Sequence, residues 1–243
     1  MRPAVIGRIG ATIAAVVVVE TVVCGLAAAP LVAAWWWGLR WALRTNGLLG
    51  VAAVAAALVP TYALFALSVI PWSALATRVT GAHTPDAAEM RIDDFDWPLL
   101  TWARYMVATH LVRVLAGTLF RGSPIWTWHL RLNGARVGRR VWVNTTFISD
   151  HNLLDLGDDV VIGADVHISG HTVERGMLKT GRVRLGRGAM IGLASLVDID
   201  TVVGDRCQVG ALSVVPKHSR LDADATYTGI PATRVREHGG TPP

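Results

Sequence analysis

Charge is scarce in the first third of this chain. Between Ile9 and Leu39 the only ionisable side chains are Glu20 and Cys24, and between Asn46 and Thr77 there is no Asp, Glu, Lys, Arg or His. Runs of that kind exclude an ordinary water-facing surface for either stretch. A hydrocarbon core about 30 Å thick takes about 20 apolar residues at a 1.5 Å rise, so both runs are long enough to span with room for tilt. Two transmembrane helices are expected. Trp35, Trp36, Trp37 and Trp41 stand with Arg40 and Arg44 at the end of the first run, where amphipathic rings and cations settle at the headgroup level. A cleaved signal peptide is the competing reading, since Arg2 and Arg8 precede the run and small residues close it near Ala27 to Ala29. The length of the run and the second apolar stretch directly behind it favour a retained anchor.

Cysteine is scarce too. Two thiols, Cys24 and Cys207, make no disulfide framework in 243 residues. Charged residues make up 17% of the chain against 52% hydrophobic, and the formal net charge is +5. In a soluble protein that balance would suggest nucleic acid. Here no nucleic-acid motif is present and many arginines flank the apolar runs, so an anionic lipid bilayer is the expected partner.

Four segments are expected. Residues 1–78 form the two-helix anchor. Residues 79–134 form a linker and an interfacial amphipathic helix: Gly81, Pro85, Asp86, Glu89, Asp93, Asp94 and Asp96 have linker composition. Leu99, Trp102, Ala103, Met106, Val107, His110, Leu111, Val114 and Leu115 then recur at helical spacing. Arg104 and Arg113 argue against a third span, because a mid-helix arginine costs about 2.5–3.5 kcal/mol on insertion scales. Trp126 and Trp128 are expected to extend the membrane contact. Residues 135–237 form the repeat domain, and 238–243 a disordered tail.

The repeat domain carries a third period. Aliphatic residues stand at Leu185, Ile191, Val197, Val203, Val209 and Val215, an unbroken six-residue step, and glycine follows at 186, 192, 204 and 210. Four residues after each aliphatic comes a small side chain: Ala189, Ser195, Thr201, Cys207, Ser213 and Ser219. Leu156, Ile162 and Ile168 keep the same step earlier. Neither a helix at 3.6 nor a half-buried strand at 2.0 produces a period of six, whereas a prism-shaped coil with one short strand per side does. Each aliphatic points into the prism, and glycine is expected to turn the corner with unusual φ. The spacing leaves handedness open.

These residues resemble the hexapeptide-repeat acyltransferases, such as the galactoside, maltose and serine acetyltransferases, over about residues 135 to 237. The resemblance includes Gly170-His171, opening a non-repeat loop that runs to about Arg184. It also includes Val209-Gly-Ala-Leu-Ser-Val-Val-Pro-Lys217, and Gly229-Ile-Pro-Ala-Thr-Arg-Val-Arg236. Gly122-Ser-Pro, Leu130-Arg-Leu-Asn-Gly-Ala-Arg-Val-Gly138 and Leu178-Lys-Thr-Gly181 are in addition similar to the membrane-embedded C-terminal region of poly-lysine-synthetase-type peptide synthetases. The sequence carries no adenylation or carrier domain, so a stand-alone relative is expected.

The resemblance implies an all-β left-handed parallel β-helix, a homotrimer with sites between adjacent prisms, and acyl-CoA, most simply acetyl-CoA, as co-substrate without a metal. It implies His171 as catalytic base, Asp150 as a catalytic or acceptor-binding carboxylate, and Asn144 as a weaker acceptor contact. Ala211, Lys217, Arg234 and Arg236 are implied in cofactor binding. The chemistry is coherent, since a thioester is already activated and a neutral imidazole near pKa 6.5 suits removal of the acceptor proton. Lys and Arg suit the phosphates of CoA. His151, His167, Arg175 and Lys179 are secondary candidates.

The expected function is thus transfer of an acyl group to a hydroxyl or amine of a small-molecule or lipid-linked acceptor. The enzyme would be multi-pass in the cytoplasmic membrane, with its coil on the cytosolic side. Amide-forming aminoacyl transfer, a non-enzymatic trimeric scaffold and a three-histidine zinc site of the γ-carbonic-anhydrase kind are the alternatives.

Overall fold

The computed structural model describes residues 3–45 and 47–235. Arg236 and the expected tail at 238–243 lie outside the described residues. The chain divides into two compact units, one of Met1–Ala82 with Ala103–Leu119, the other of His83–Trp102 with Phe120–Pro243.

The first unit is helical. Helix α1 spans Pro3–Arg44 and helix α2 spans Gly47–Val79, both long and apolar enough to cross a bilayer. They fold back on one another: the Trp35 indole Nε1 donates to Thr61 Oγ1 at 2.7 Å, and a Cβ on Gly50 would lie 2.4 Å from the Ala42 carbonyl oxygen. Only glycine permits that approach. Helix α3 (Trp97–Val112) continues through a five-residue π-helical turn, Arg113–Gly117, into α4 (Thr118–Phe120). The Leu115 carbonyl within that turn accepts from the Tyr62 hydroxyl at 2.8 Å, one way in which such a turn satisfies its displaced backbone groups.

In the second unit α5 (Pro124–Leu132) opens with proline at its first turn, where the missing N–H costs nothing. Trp126 on this helix is 1% exposed and donates from Nε1 to the Thr145 carbonyl at 2.8 Å. The expected membrane contact of Trp126 is therefore corrected. An indole whose N–H has a partner is more stable inside this protein unit.

Short strands then wind through three parallel faces. One carries Trp142–Val143, Val161–Ile162, Met190–Ile191, Gln208–Val209 and Thr226–Thr228, closed by antiparallel Thr233–Arg234. The second carries His167–Ile168, Leu196–Val197 and Val214–Val215, and the third runs from Arg136–Val137 to Arg220–Leu221. Ile191 pairs with Val209, eighteen residues on, which is three six-residue steps per turn of the coil. The aliphatics of the step fill the interior, from Leu185 at 2% exposed to Val215 at 0%, and Ala189, Thr201, Cys207 and Ser213 are fully buried beside them.

The glycines after the aliphatics act otherwise than expected. Gly186, Gly192, Gly204 and Gly210 do not have positive φ; the left-handed residues come two positions later, at Gly188, Ala194, Arg206 and Leu212. Their common constraint is the next coil: a Cβ on Gly204 would stand 2.4 Å from the Ala223 backbone nitrogen, and one on Gly192 as close to that of Ala211. At Gly186, Gly192 and Gly204 coil-to-coil backbone contact, rather than turning, demands glycine, and at Gly210 the Thr228 methyl of the next coil does. Gly204→Val is accordingly expected to destabilise the coil by about 1–3 kcal/mol or more, because a backbone neighbour cannot yield. A thermal melt of the variant beside the unaltered chain measures it.

Two segments expected to be irregular form a sheet. The non-repeat loop is a hairpin of His171–Glu174 with Met177–Thr180, and Glu89–Arg91 from the expected linker adds a third antiparallel strand. Met90, Leu99 and Leu178 are buried together beneath it. The linker reading of 79–97 thus gives way to an ordered strap, since Met90 and Leu178 alternate inward and need each other to leave water.

Candidate active site

Asp150 and His171 lie twenty-one residues apart in sequence and meet because Gly170 has no side chain. A Cβ there would fall 2.6 Å from the Asp150 Cβ. Asp150 itself adopts φ +53° at the head of the short turn His151–Leu153, which aims its carboxylate at the first residue of the hairpin. The His171 Nδ1–H donates to Asp150 Oδ2 at 2.6 Å. Ser149 Oγ donates to the same oxygen at 2.7 Å, and Oδ1 accepts from Thr84 Oγ1 at 2.7 Å and from Trp102 Nε1 at 3.1 Å. The Trp102 indole also meets the His171 ring edge-on, with centroids 5.1 Å apart.

Exposure divides the two partners: the His171 side chain is 22% accessible and that of Asp150 0%. Burial pushes the Asp150 carboxyl up, but the hydrogen bond and charge of His171, with the Ser149 and Thr84 hydroxyls, outweigh it and hold the group below the ordinary carboxylate value. Burial likewise presses the His171 imidazole down, and the Asp150 hydrogen bond and charge, aided by Asp198, carry it above 6.5. The proton on Nδ1 is assigned by the carboxylate that accepts it, which leaves Nε2 as the basic nitrogen.

His171, expected on a loop, is the first residue of a strand and pairs in register with Thr180. Asp150, implied by the resemblance as a catalytic or acceptor-binding carboxylate, lies against the imidazole with its side chain 0% accessible. Asn144 is not brought to this pair; its side chain lies beside Gly122. His151 is buried, its Nε2 at hydrogen-bond distance from the Ile148 carbonyl, and burial pushes its pKa down to about 4. His167 faces outward on its strand, stacked on Phe147 at 4.5 Å.

Of the residues implied in cofactor binding, Lys217 ion-pairs with Glu174 of the hairpin and borders an open cleft of about 470 Å³ with Arg175, Lys179, Met177 and Glu89. The Lys217 ammonium holds the Glu174 carboxyl below its usual range. Ala211 is exposed in a turn of the last coils, packed under Gly192. Arg234 pairs with Asp222 at 3.1 Å. Thr84 was not singled out by sequence, and Trp102 was read only as a member of the apolar stripe of an interfacial helix; they reach Asp150 across 66 and 48 residues.

No protein-family model matches the chain. Over 136 residues, 56% of this chain and 10% of its relative, the sequence is 26% identical to Delta-poly-L-ornithine synthetase of Acinetobacter baumannii. Over 110 residues, 42% of this chain and 53% of the relative, it is 27% identical to galactoside O-acetyltransferase of Escherichia coli. The chain therefore spans a tenth and about half of the lengths of these curated relatives. A solved hexapeptide-repeat-containing acetyltransferase of Vibrio cholerae, complexed with acetyl coenzyme A, is similar over 58% of this chain and 91% of that one, at 16% identity and a TM-score of 0.44. The relatives of this chain are thus hexapeptide-repeat acetyltransferases and a poly-ornithine synthetase, the families its six-residue step and its segments from Gly122 onward resemble.

Proposed function

We propose that the chain is a membrane-anchored acyltransferase that moves an acyl group from acyl-CoA to a hydroxyl or amine, with His171 as general base. The observation that carries this reading is the closed His171–Asp150 pair, whose imidazole stays accessible while its carboxylate is sealed. Nε2 takes the acceptor proton as the acceptor oxygen or nitrogen attacks the thioester carbon. The tetrahedral species collapses with cleavage of the C–S bond, and the imidazolium returns the proton to the leaving thiolate. Asp150 keeps Nδ1 protonated and steadies the cation formed in between.

Phosphates of CoA suit the cleft beside Lys217, Arg175 and Lys179, whose cations can meet them by charge-assisted hydrogen bonds. In this reading α1 and α2 are bilayer spans, the coil is left-handed and cytosolic, and three copies assemble around shared sites.

The test is release of free thiol from acetyl-CoA by the purified full chain, with a panel of hydroxyl and amine acceptors. Lys217→Ala is expected to raise the KM for acetyl-CoA about tenfold with kcat little changed, the mark of lost ground-state binding. An unchanged KM would remove Lys217 from the cofactor site. A second reading, amide formation from an aminoacyl thioester, is favoured by the match to the poly-ornithine synthetase. Offering aminoacyl thioesters in competition with acetyl-CoA separates the two by which donor is consumed.

A further inference from the structure

We infer that Thr84, on the strap, and Trp102, on helix α3, are positioning residues of this centre: two segments that precede the coil in sequence fix the Asp150 carboxylate and, through it, the imidazole of His171. The inference rests on the acyl-transfer reading above, in which His171 is the base.

A carboxylate turns readily about its last bond, because terminal sp³–sp² torsions have broad, roughly two-fold wells. Ser149 and His171 both address Oδ2 and leave that rotation open to the other oxygen. Thr84 and Trp102 both donate to Oδ1. With all four in place the carboxylate plane is determined, and so is the direction from which Nδ1 is held. Trp102 acts twice, since its ring edge also rests against the imidazole.

The strap is itself anchored to both halves of the pair. On the Asp150 side Thr84 and Asn152 bond reciprocally, Thr84 N–H to Asn152 Oδ1 at 3.2 Å and Asn152 Nδ2 to the Thr84 carbonyl at 2.8 Å. On the His171 side stands Thr180, the cross-strand partner of His171, which donates from Oγ1 to the Pro85 carbonyl at 2.6 Å and accepts there from the Ala88 N–H at 3.0 Å. Arg182 to Asp86 at 2.7 Å secures the bend between them. These bonds pair backbone groups of Thr84, Pro85 and Ala88, and they deliver the Thr84 hydroxyl to the buried carboxylate.

Substitution separates positioning from packing. Thr84→Val keeps the shape and loses the donor, Thr84→Ser keeps the donor and loses a methyl, and Trp102→Phe keeps an aromatic ring without its N–H. The full chain in detergent, labelled in its histidine rings, reports the His171 titration by NMR, with the signal assigned by its loss in His171→Ala. Withdrawing donors concentrates the carboxylate charge on its remaining bonds, so Thr84→Val and Trp102→Phe are expected to move that titration to higher pH. Each is expected to lower kcat for acetyl transfer about three- to tenfold, with the KM for acetyl-CoA unchanged, and Thr84→Ser to match the unaltered chain.

A His171 titration and kcat unmoved in both Thr84→Val and Trp102→Phe would overturn the inference. So would Thr84→Ser failing alongside Thr84→Val, because the methyl and not the hydroxyl would then matter. Failure of the acyl-transfer reading shows separately, as equal turnover by His171→Ala and the unaltered chain, while the titration still reports on the strap.

Discussion

His171→Ala is expected to lower acyl transfer by about 10²–10⁴-fold, the usual effect of removing a positioned general base. The fold should survive. The side chain lies outside the stack of aliphatics that fills the prism, so its removal opens no core cavity of the kind that costs several kcal/mol. Asp150 keeps the Ser149, Thr84 and Trp102 donors and does not become an unpaired buried charge. His171 is more basic folded than its ordinary 6.5, so the stability it contributes is fully present below that value and is lost as pH rises through the raised one. Melting curves of the variant and the unaltered chain should therefore converge at alkaline pH and separate toward pH 6. Steady-state kinetics beside these melts decide the matter: a folded His171→Ala protein with full activity would remove the proposed mechanism.

Asp150→Asn is expected to be nearly as damaging, and to act on kcat rather than on acceptor binding. Thr84 and Trp102 are both donors to Oδ1, so the amide oxygen must take that place and the amide nitrogen must face His171. Nδ1 is then obliged to accept, the ring proton moves to Nε2, and the nitrogen needed as base is blocked. Loss of about 10²–10⁴-fold follows from the wrong tautomer alone. The pH profile carries the same signature. With the carboxylate present, the acidic limb of kcat/KM should have its midpoint above 6.5, because the base must be unprotonated in the free enzyme. Without it burial is the leading influence on the imidazole, and the limb of the residual activity should move to lower pH. Asp150 is held below its ordinary 3.8, so its own contribution to stability is present above that value and is lost as pH falls through the depressed one. A variant with unchanged kcat and a raised acceptor KM would return Asp150 to the acceptor.

The two apolar runs and the six-residue step were legible without coordinates because each is a local, repeating statement of which side chains leave water. Ile191 and Val209 need no distant information to be read as interior; the period does it. Gly170-His171 was legible as a break in that period. The coil's glycines were legible as required, though for the wrong reason, since what Gly204 must avoid is a backbone nitrogen nineteen residues on, in the next turn of the coil.

Other features had no local signal. The three-residue strand Glu89–Arg91 is too short to show alternation, and the acidic residues around it have the composition of a connector. Trp126 read as an interface ring and is an interior one, because only the folded chain brings the Thr145 carbonyl to its N–H. By itself, then, the sequence determined the apolar helices and the coil, which follow from spacing, while His171 was singled out through resemblance. Which oxygen of Asp150 meets which donor, the burial of that carboxylate, and the arrival of Thr84 and Trp102 from outside the repeat were decided only by tertiary structure. They are meetings of residues up to 66 positions apart, and no period along the chain encodes them.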